Sequence, residues 1–338
     1  MIERADILVL GLGPAGASAA RAAAQRGRRV VALERKRKAG IPVQCAEFVP
    51  AMIDAEVAGA VRQRIQAMAT FVEDEAADLQ PDFPGQMLDR AAFDAGLVAR
   101  AAQAGADCRL DRRVIRIAKD GTVHLADGGR LRARVIVGAD GPRSQAGRAI
   151  GSVNTDLVET RQVTVPLRQP HAATDIFLSA DMPGGYGWLF PKGGVANLGA
   201  GVVPAHRGCL KRILERLHAS LGDRVGREIL ATTGGVIPVG GMLQPWGRLE
   251  ETLVLLAGDA AGLANPVTGA GIAAAVQSGR LAGEAAASGA APAYQEELED
   301  LFEAALARAL RRRRELLERV PTKAALRRGW IAYPEYWQ

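Results

Sequence analysis

The chain has 338 residues, 48% of them hydrophobic and 24% charged, which fits one large α/β domain or two closely joined ones with a substantial core. Lys and Arg number 43 against 37 Asp and Glu, a net charge of +6, with the basic excess concentrated at 26–38 and in the last thirty residues. Three widely spaced cysteines without a CxxC exclude a disulfide framework, four isolated histidines argue against a metal site, and no apolar run reaches the length of a membrane span.

In chain order, 5–10 reads as a buried strand, 14–26 as an alanine-rich helix closed by Gly27, and 30–33 as a second buried strand. This is the scale of a mononucleotide-binding βαβ unit. Glycine and proline break the pattern over 40–50, and a helical stretch is expected over 54–67. Residues 89–104 form an amphipathic helix capped near Asp89 and stopped at Gly105. Short strands follow at 108–117 and 122–126, then a turn at 127–129 and a strand at 131–137. Val135, Ile136 and Val137 are apolar on both faces, which places that strand in a central parallel sheet.

From 151 to 245 the texture changes to alternating strands, many glycines and one amphipathic helix over 209–221. Parallel-strand texture returns at 253–257, followed by an alanine-rich helix over 272–287, a charged helix over 294–319 and a basic, aromatic tail. The expected organisation is a discontinuous first module, 1–150 with 246–290. A sheet-rich module, 151–245, is inserted into it, and 291–338 forms a C-terminal helix and tail.

Gly11-Leu12-Gly13-Pro14-Ala15-Gly16 fits GxGxxG between a strand and a helix. Gly11 allows the tight turn, Gly13 lets the backbone approach a pyrophosphate, and Gly16 lets the helix pack on the strand. The N–H groups at the helix start favour phosphate. Glu34, 23 residues beyond Gly11, ends the second strand where a carboxylate accepts ribose hydroxyls, with Arg35 beside it. A carboxylate there disfavours a 2′-phosphate, so the bound nucleotide is not NADP.

Two further clusters follow: Val135-Ile136-Val137-Gly138-Ala139-Asp140-Gly141, and Leu255-Leu256-Ala257-Gly258-Asp259 continuing to Thr268-Gly269-Ala270-Gly271-Ile272. With the glycine loop they resemble, in order, the three motifs of the p-hydroxybenzoate hydroxylase-like FAD-dependent oxidoreductase superfamily. The resemblance implies a Rossmann-like FAD-binding domain of the second glutathione-reductase type, discontinuous, with an inserted antiparallel-sheet substrate domain. It implies that Asp140 and Gly141 flank the cofactor, that Gly258 and Asp259 meet the ribityl chain, and that Gly269, Ala270, Gly271 and Ile272 face the flavin pyrimidine edge. A helix N terminus suits that edge because a reduced flavin carries negative charge there. Arg90 resembles the superfamily arginine near the FAD phosphates or ribityl, and Val114 the backbone position near the adenine.

Pro183-Gly184-Gly185-Tyr186-Gly187-Trp188-Leu189-Phe190-Pro191 matches P-x-x-Y-x-W-x-F-P and resembles the signature of the geranylgeranyl reductase family. Cys45-Ala46-Glu47 is similar to that family's cysteine segment beside the isoalloxazine, with Ala46 where the family usually has glycine. Tyr186, Trp188 and Phe190 recur with period two and so share one strand face, either as a substrate wall or as ordinary core packing. Cys45 is either a reactive thiol or a buried small hydrophobe.

The resemblance implies reduction of carbon–carbon double bonds in an apolar, prenyl-type substrate, with Cys45, Tyr186 and Trp188 as candidate catalytic residues. Two other readings stay open: a flavin monooxygenase acting on an aromatic or peptidyl substrate, and an NAD(P)H-oxidising flavoprotein that passes electrons to a protein partner. There is no second GxGxxG for a nicotinamide nucleotide, and the external donor is expected to be NAD(P)H or ferredoxin-type. The basic tail fits a solvated cap, a membrane surface or a protein partner, and no nucleic-acid motif accompanies it. No signal peptide precedes the glycine loop, so the expected setting is cytoplasmic, with the tail as a route to a membrane surface.

Overall fold

A computed structural model describes residues 1–50 and 59–338. The first sheet runs in the order Trp246–Leu249, Thr252–Leu256, Arg130–Gly138, Glu3–Leu10, Val30–Leu33, Asp107–Arg109, with Val123–Leu125 and Val114–Ile117 attached beside Arg130–Gly138. The five strands from Thr252–Leu256 to Asp107–Arg109 are mutually parallel, and Trp246–Leu249 adds an antiparallel edge. Strand Val30–Leu33 is buried at all four positions and Thr252–Leu256 at all five, which is why their sequences are apolar on both faces.

Parallel register positions the motifs. Leu10 lies opposite Gly138, and Gly138 opposite Leu256, so these three strands end side by side. The turns that follow therefore leave one edge together, tied by Ala139 N donating to Leu10 O at 2.8 Å and Ala257 N to Gly138 O at 3.0 Å. This is the carboxyl edge at which open α/β sheets bind ligands.

Helices Pro14–Gln25 and Ile272–Ser288 pack across one another on this sheet. Their close approach requires glycine at two positions: a Cβ at Gly279 would collide with the Ala15 carbonyl, and one at Gly283 with the Ala19 carbonyl. Gly279→Ala is therefore expected to lower the unfolding free energy by about 1–3 kcal/mol through overpacking, measured by urea denaturation. An unchanged midpoint would mean that the helices separate freely.

The second sheet runs in the order Ala231–Pro238, Leu157–Pro166, Val195–Val202, Gly187–Lys192, Ala173–Leu178, Ala67–Val72, Asp78–Gln80. Every pair is antiparallel except Ala173–Leu178 with Ala67–Val72, which is parallel. Two of its strands thus come from the segment preceding 151. Helix Leu210–Ser220 buries Leu210, Ile213 and Leu214 against the outer face.

The helix expected over 54–67 is corrected in its described part. Val61–Ile65 is a strand pairing with Gly85–Leu88, and Ala67–Val72 begins the next one; residues 54–58 lie outside the described residues. Val61-Arg62-Gln63-Arg64-Ile65 alternates between exposed positions and half-buried or buried ones, the period-two pattern of a strand. The charged helix expected over 294–319 is Ala291–Leu298, a π-helical turn Glu299–Glu303, and Ala304–Leu317.

The tail folds back on the second sheet. Leu326, Trp330 and Tyr333 join a core cluster with Met68, Ile176, Trp188 and Phe190. Lys323 pairs with Asp74 at 2.7 Å, Arg327 with Glu75 and Asp78, and the Tyr333 hydroxyl donates to Asp78 at 2.6 Å. Among the described residues no helix is long and apolar enough to cross a membrane.

Candidate active site

A cavity of about 350 Å³ lies where the carboxyl edge of the first sheet meets one face of the second. Of the residues singled out in the sequence, it is lined by Gly13, Pro14, Ala15, Cys45, Ala46, Arg90, Gly141, Tyr186, Trp188, Phe190, Asp259, Gly269, Ala270, Gly271 and Ile272. Gly11, Gly16, Glu34, Arg35, Val114, Asp140 and Gly258 do not line it.

The glycine loop is sterically determined. Gly11 has φ +91°, and a Cβ there would collide with the Ala139 carbonyl; one at Gly16 would collide with the Gly11 carbonyl. At Gly13 a Cβ would meet open space, so the backbone is approachable from the cavity. Gly13 caps its helix without a side-chain hydrogen bond, and Pro14 occupies the first turn. Gly271 likewise opens helix Ile272–Ser288 without a side-chain cap. Two helix starts with open N–H groups at one cavity suit a ligand that carries phosphates at one end and an electron-rich ring edge at the other.

The Glu34 carboxylate accepts from Leu12 N and from Lys36 N, both at 2.9 Å, bracing the glycine loop while each oxygen keeps a second lone pair. Arg35 is exposed. The Val114 carbonyl accepts from Gln145 Nε2 at 2.7 Å. Asp140 caps a short helix: its carboxylate accepts from the Ser144 hydroxyl at 2.5 Å and from Gln145 N at 2.6 Å. The neighbours of Asp140, Ala139 and Gly141, are what reach the cavity. Gly258 N donates to the Ser278 hydroxyl at 3.0 Å.

Asp259 is different. No described residue donates to its carboxylate, and burial pushes its pKa up to about 6, opposed by the charge of Arg90. Arg90 forms a two-point pair with Asp94 at 2.9 and 3.0 Å and faces the Cys45 sulfur. Burial works against the guanidinium charge, but Cys45 and Asp94 outweigh it and its pKa rises.

The Cys45 segment is held by groups absent from the sequence-level candidates. Gln162 Nε2 donates to Cys45 O at 3.1 Å, and Asn197 Nδ2 to Ala46 O at 3.2 Å. Glu47 N donates to Cys45 Sγ at 3.2 Å. The Glu47 carboxylate, buried at 4% exposure, accepts from Arg90 N at 3.1 Å, from Asn197 Nδ2 at 2.9 Å and from Lys192 Nζ. Glu47 therefore ties the Cys45 turn, the start of helix Arg90–Gln103 and two strands of the second sheet together. The left-handed angle of this turn falls at Glu47, φ 70°, not at Ala46, so alanine is accommodated where the related pattern has glycine. Lys192 and Asn197 follow directly from the aromatic motif, the only local signal that could have found them.

Tyr186, Trp188 and Phe190 share one face and continue into a wall of six rings. Trp330 lies 4.8 Å from Tyr186, Tyr186 5.7 Å from Trp188, Trp188 6.3 Å from Phe190, Phe190 5.5 Å from Phe48, and Phe48 6.1 Å from Phe83. Trp188 Nε1 donates to Gln162 Oε1 at 3.0 Å, so the ring is locked to the side chain that holds Cys45. The Tyr186 hydroxyl donates to Thr268 O at 2.6 Å, and burial raises its pKa, which keeps it neutral and weak as an acid.

No protein-family model matches the chain. It is 34% identical over 307 residues to digeranylgeranylglycerophospholipid reductase 1 of Methanopyrus kandleri, covering 83% of this chain and 80% of that protein. It is 32% identical over 336 residues to the digeranylgeranylglycerophospholipid reductase of Methanosarcina acetivorans, covering 88% and 79%. The chain belongs to the digeranylgeranylglycerophospholipid reductase family. Among solved structures it resembles a geranylgeranyl bacteriochlorophyll reductase-like protein from Thermoplasma acidophilum, with a TM-score of 0.85, 25% identity and coverage of 96% of this chain and 90% of that one. A probable FAD-dependent monooxygenase from Pseudomonas aeruginosa has the same fold at a TM-score of 0.71 and 18% identity, covering 96% and 98%. Family members and fold neighbours are thus oxidoreductases, and the three glycine-rich turns stand at the edge where that fold binds its cofactor.

Proposed function

We propose that this chain is an FAD-dependent reductase that saturates carbon–carbon double bonds of prenyl chains. The observation that carries the reading is the six-ring aromatic wall, which shares one cavity with two uncapped helix starts and the unpartnered Asp259 carboxylate. The names of the family members support it. In this reading the first sheet and its helices carry the cofactor, while the second sheet, with Ala67–Val72, Asp78–Gln80, Phe48 and Phe83 supplied by the first segment, and the tail enclose the substrate.

When bound, FAD supplies the two-electron reduction. Gly13, Pro14 and Ala15, on the turn that Gly11 and Gly16 shape, would hold the pyrophosphate, Glu34 with Arg35 the ribose, and Arg90 and Asp259 the stretch toward the ring. Gly271 and Ile272 would offer N–H groups to the ring edge, Gly269 N and Ala270 N donate within the loop to Asn265 O and Thr268 Oγ1, and Tyr186 positions that loop through Thr268 O. The aromatic faces bind hydrocarbon and exclude water from the reacting double bond. Cys45, whose turn is held by Gln162, Asn197 and Glu47, is the catalytic thiol that would stand beside the ring, whereas neutral Tyr186 and buried Trp188 act by positioning.

The test is anaerobic. The purified yellow protein is bleached with NADH, NADPH or dithionite and then given an isoprenoid lipid. Return of the yellow colour, with two hydrogens gained per double bond by mass spectrometry, is expected. Bleaching that persists until oxygen or a carrier protein is added would overturn the reading.

A further inference from the structure

Saturating a double bond takes a hydride and a proton, so an apolar cavity that does this repeatedly must be resupplied with protons. Among the described residues six ionisable side chains line the cavity: Cys45, Glu47, Arg90, Tyr186, Asp259 and Arg313. Arg90 is held cationic by Cys45 and Asp94, and Arg313, pulled down to about 10 by burial, is still a cation at neutral pH. Burial raises the pKa of Tyr186, whose hydroxyl is committed to Thr268 O. Asp259 faces the charge of Arg90, and Cys45 Sγ accepts from Glu47 N, contacts that stay within the cavity lining.

Glu47 differs, because one of its partners leads out. Its carboxylate is buried at 4% exposure and accepts from Lys192 Nζ; Lys192 does not line the cavity, and its side chain keeps 23% exposure. Arg90 N at 3.1 Å and Asn197 Nδ2 at 2.9 Å fix the carboxylate in place. Three donors occupy three of its roughly four lone-pair positions, leaving one for the cavity. Asp89 feels Lys192 at longer range but is itself paired with Arg62 at 2.5 Å. In the chain Glu47 stands between Cys45 and Phe48 of the aromatic wall, and it holds a left-handed backbone, φ 70°, that a residue with a Cβ adopts at a cost. An ion pair with one buried end suits proton sharing, since moving the proton from nitrogen to oxygen neutralises two charges that are costly to desolvate.

We propose that Lys192 and Glu47 form the proton inlet of the cavity, carrying a proton from solvent to the reacting double bond. An N–H bond of Lys192 breaks as an O–H bond forms on Glu47. That O–H bond breaks as one new C–H bond of the saturated pair forms, and the Lys192 amine takes a proton from water. The other C–H bond forms from the hydride, which brings both electrons from reduced FAD. The inlet rests on the prenyl-reductase reading and adds the source of the second hydrogen. Lys192 acts through Glu47 and meets neither substrate nor cofactor.

Lys192→Arg is the discriminating variant. It keeps a positive charge and donors for Glu47, but a guanidinium does not release a proton in a protein. FAD affinity, from flavin fluorescence, and the affinity of the oxidised holoprotein for a digeranylgeranylglycerophospholipid, from the flavin absorbance shift, should equal those of the parent. Recolouring of the anaerobically reduced holoprotein by that lipid should be about 100-fold slower or more, the contribution of a positioned proton donor. Lys192→Ala should be equally slow and should recover with added methylammonium but not with guanidinium. Recolouring of Lys192→Arg at the parental rate would overturn the inlet. So would a rate loss matched by loss of FAD or lipid affinity, which marks a structural tie, or recovery of Lys192→Ala with guanidinium, which marks a need for charge alone. A parent protein that the lipid does not recolour would overturn the reductase reading and the inlet with it, whereas a recoloured parent with an unimpaired Lys192→Arg removes the inlet alone.

Discussion

Replacing Glu47 with leucine is expected to lower the unfolding free energy by about 3–5 kcal/mol, the cost of breaking a buried ion pair by removing one partner. The substitution leaves Lys192 Nζ, Asn197 Nδ2 and Arg90 N without their shared acceptor. Lys192 retains 23% side-chain exposure, so water recovers part of its solvation and the loss should fall toward the lower figure. Urea denaturation of Glu47→Leu, Lys192→Met and the double variant resolves the effect. The double variant should be less destabilised than the sum of the singles, because it leaves no lone charge. A loss below about 1 kcal/mol for Glu47→Leu would place the group in effective contact with solvent and remove it as the tie between the sheets. Flavin retention should fall in parallel, since the Cys45 turn loses its anchor.

Asp259→Asn has the opposite sign for the apoprotein. The folded pKa stands near 6 against an ordinary value of 3.8, so the folded state holds this proton more tightly than the unfolded chain. Folding is therefore weakened as pH rises from about 4 to about 6, and the weakening is complete above both values. A neutral asparagine escapes it, and the apoprotein variant should gain about 1–3 kcal/mol at pH 7, with the gain shrinking toward pH 4. Asp140, whose pKa burial also raises, carries a slope of the same sign, but it is present in both proteins and cancels in the difference. On the proposed reading Asp259 meets FAD, so FAD affinity should drop in the same variant. Denaturation of the two apoproteins at pH 4 and pH 7 decides the matter: a gain independent of pH would show that ionisation of Asp259 is not its source.

The first sheet was legible because burial on both faces writes itself into the chain as short apolar runs, and because glycines at Gly11 and Gly16 are required wherever backbone meets backbone. The aromatic face was legible because period two is a local property. What escaped is long-range. Val61–Ile65 carries charged residues at its exposed positions and finds its partner strand at Gly85–Leu88, so alternation over five residues between unrelated segments read as helix. Glu47 meets Lys192 and Asn197 across 145 and 150 residues, and nothing near Glu47 announces them. The tail's lysine and arginine at 323 and 327 meet Asp74, Glu75 and Asp78 across about 250 residues, so a segment open to solvent, membrane or partner by composition is in fact partly matched within the chain. Asp140 shows a subtler limit: its motif places it beside the cofactor, while its carboxylate is committed to the turn that presents Ala139 and Gly141.

The parallel pairing of Ala67–Val72 with Ala173–Leu178 sets how separable the two halves are. That contact closes a loop of roughly a hundred residues, and such closures are slow to form compared with hairpins. It also means that a fragment cut at 151 and 245 would expose the hydrogen-bonding edge of Ala173–Leu178, whose pattern is buried at five of six positions. A bare apolar edge of that kind recruits other chains. The second sheet is thus stitched to the segment preceding 151 by backbone pairing, and recombining it between relatives requires carrying the Ala67–Gln80 hairpin along with it.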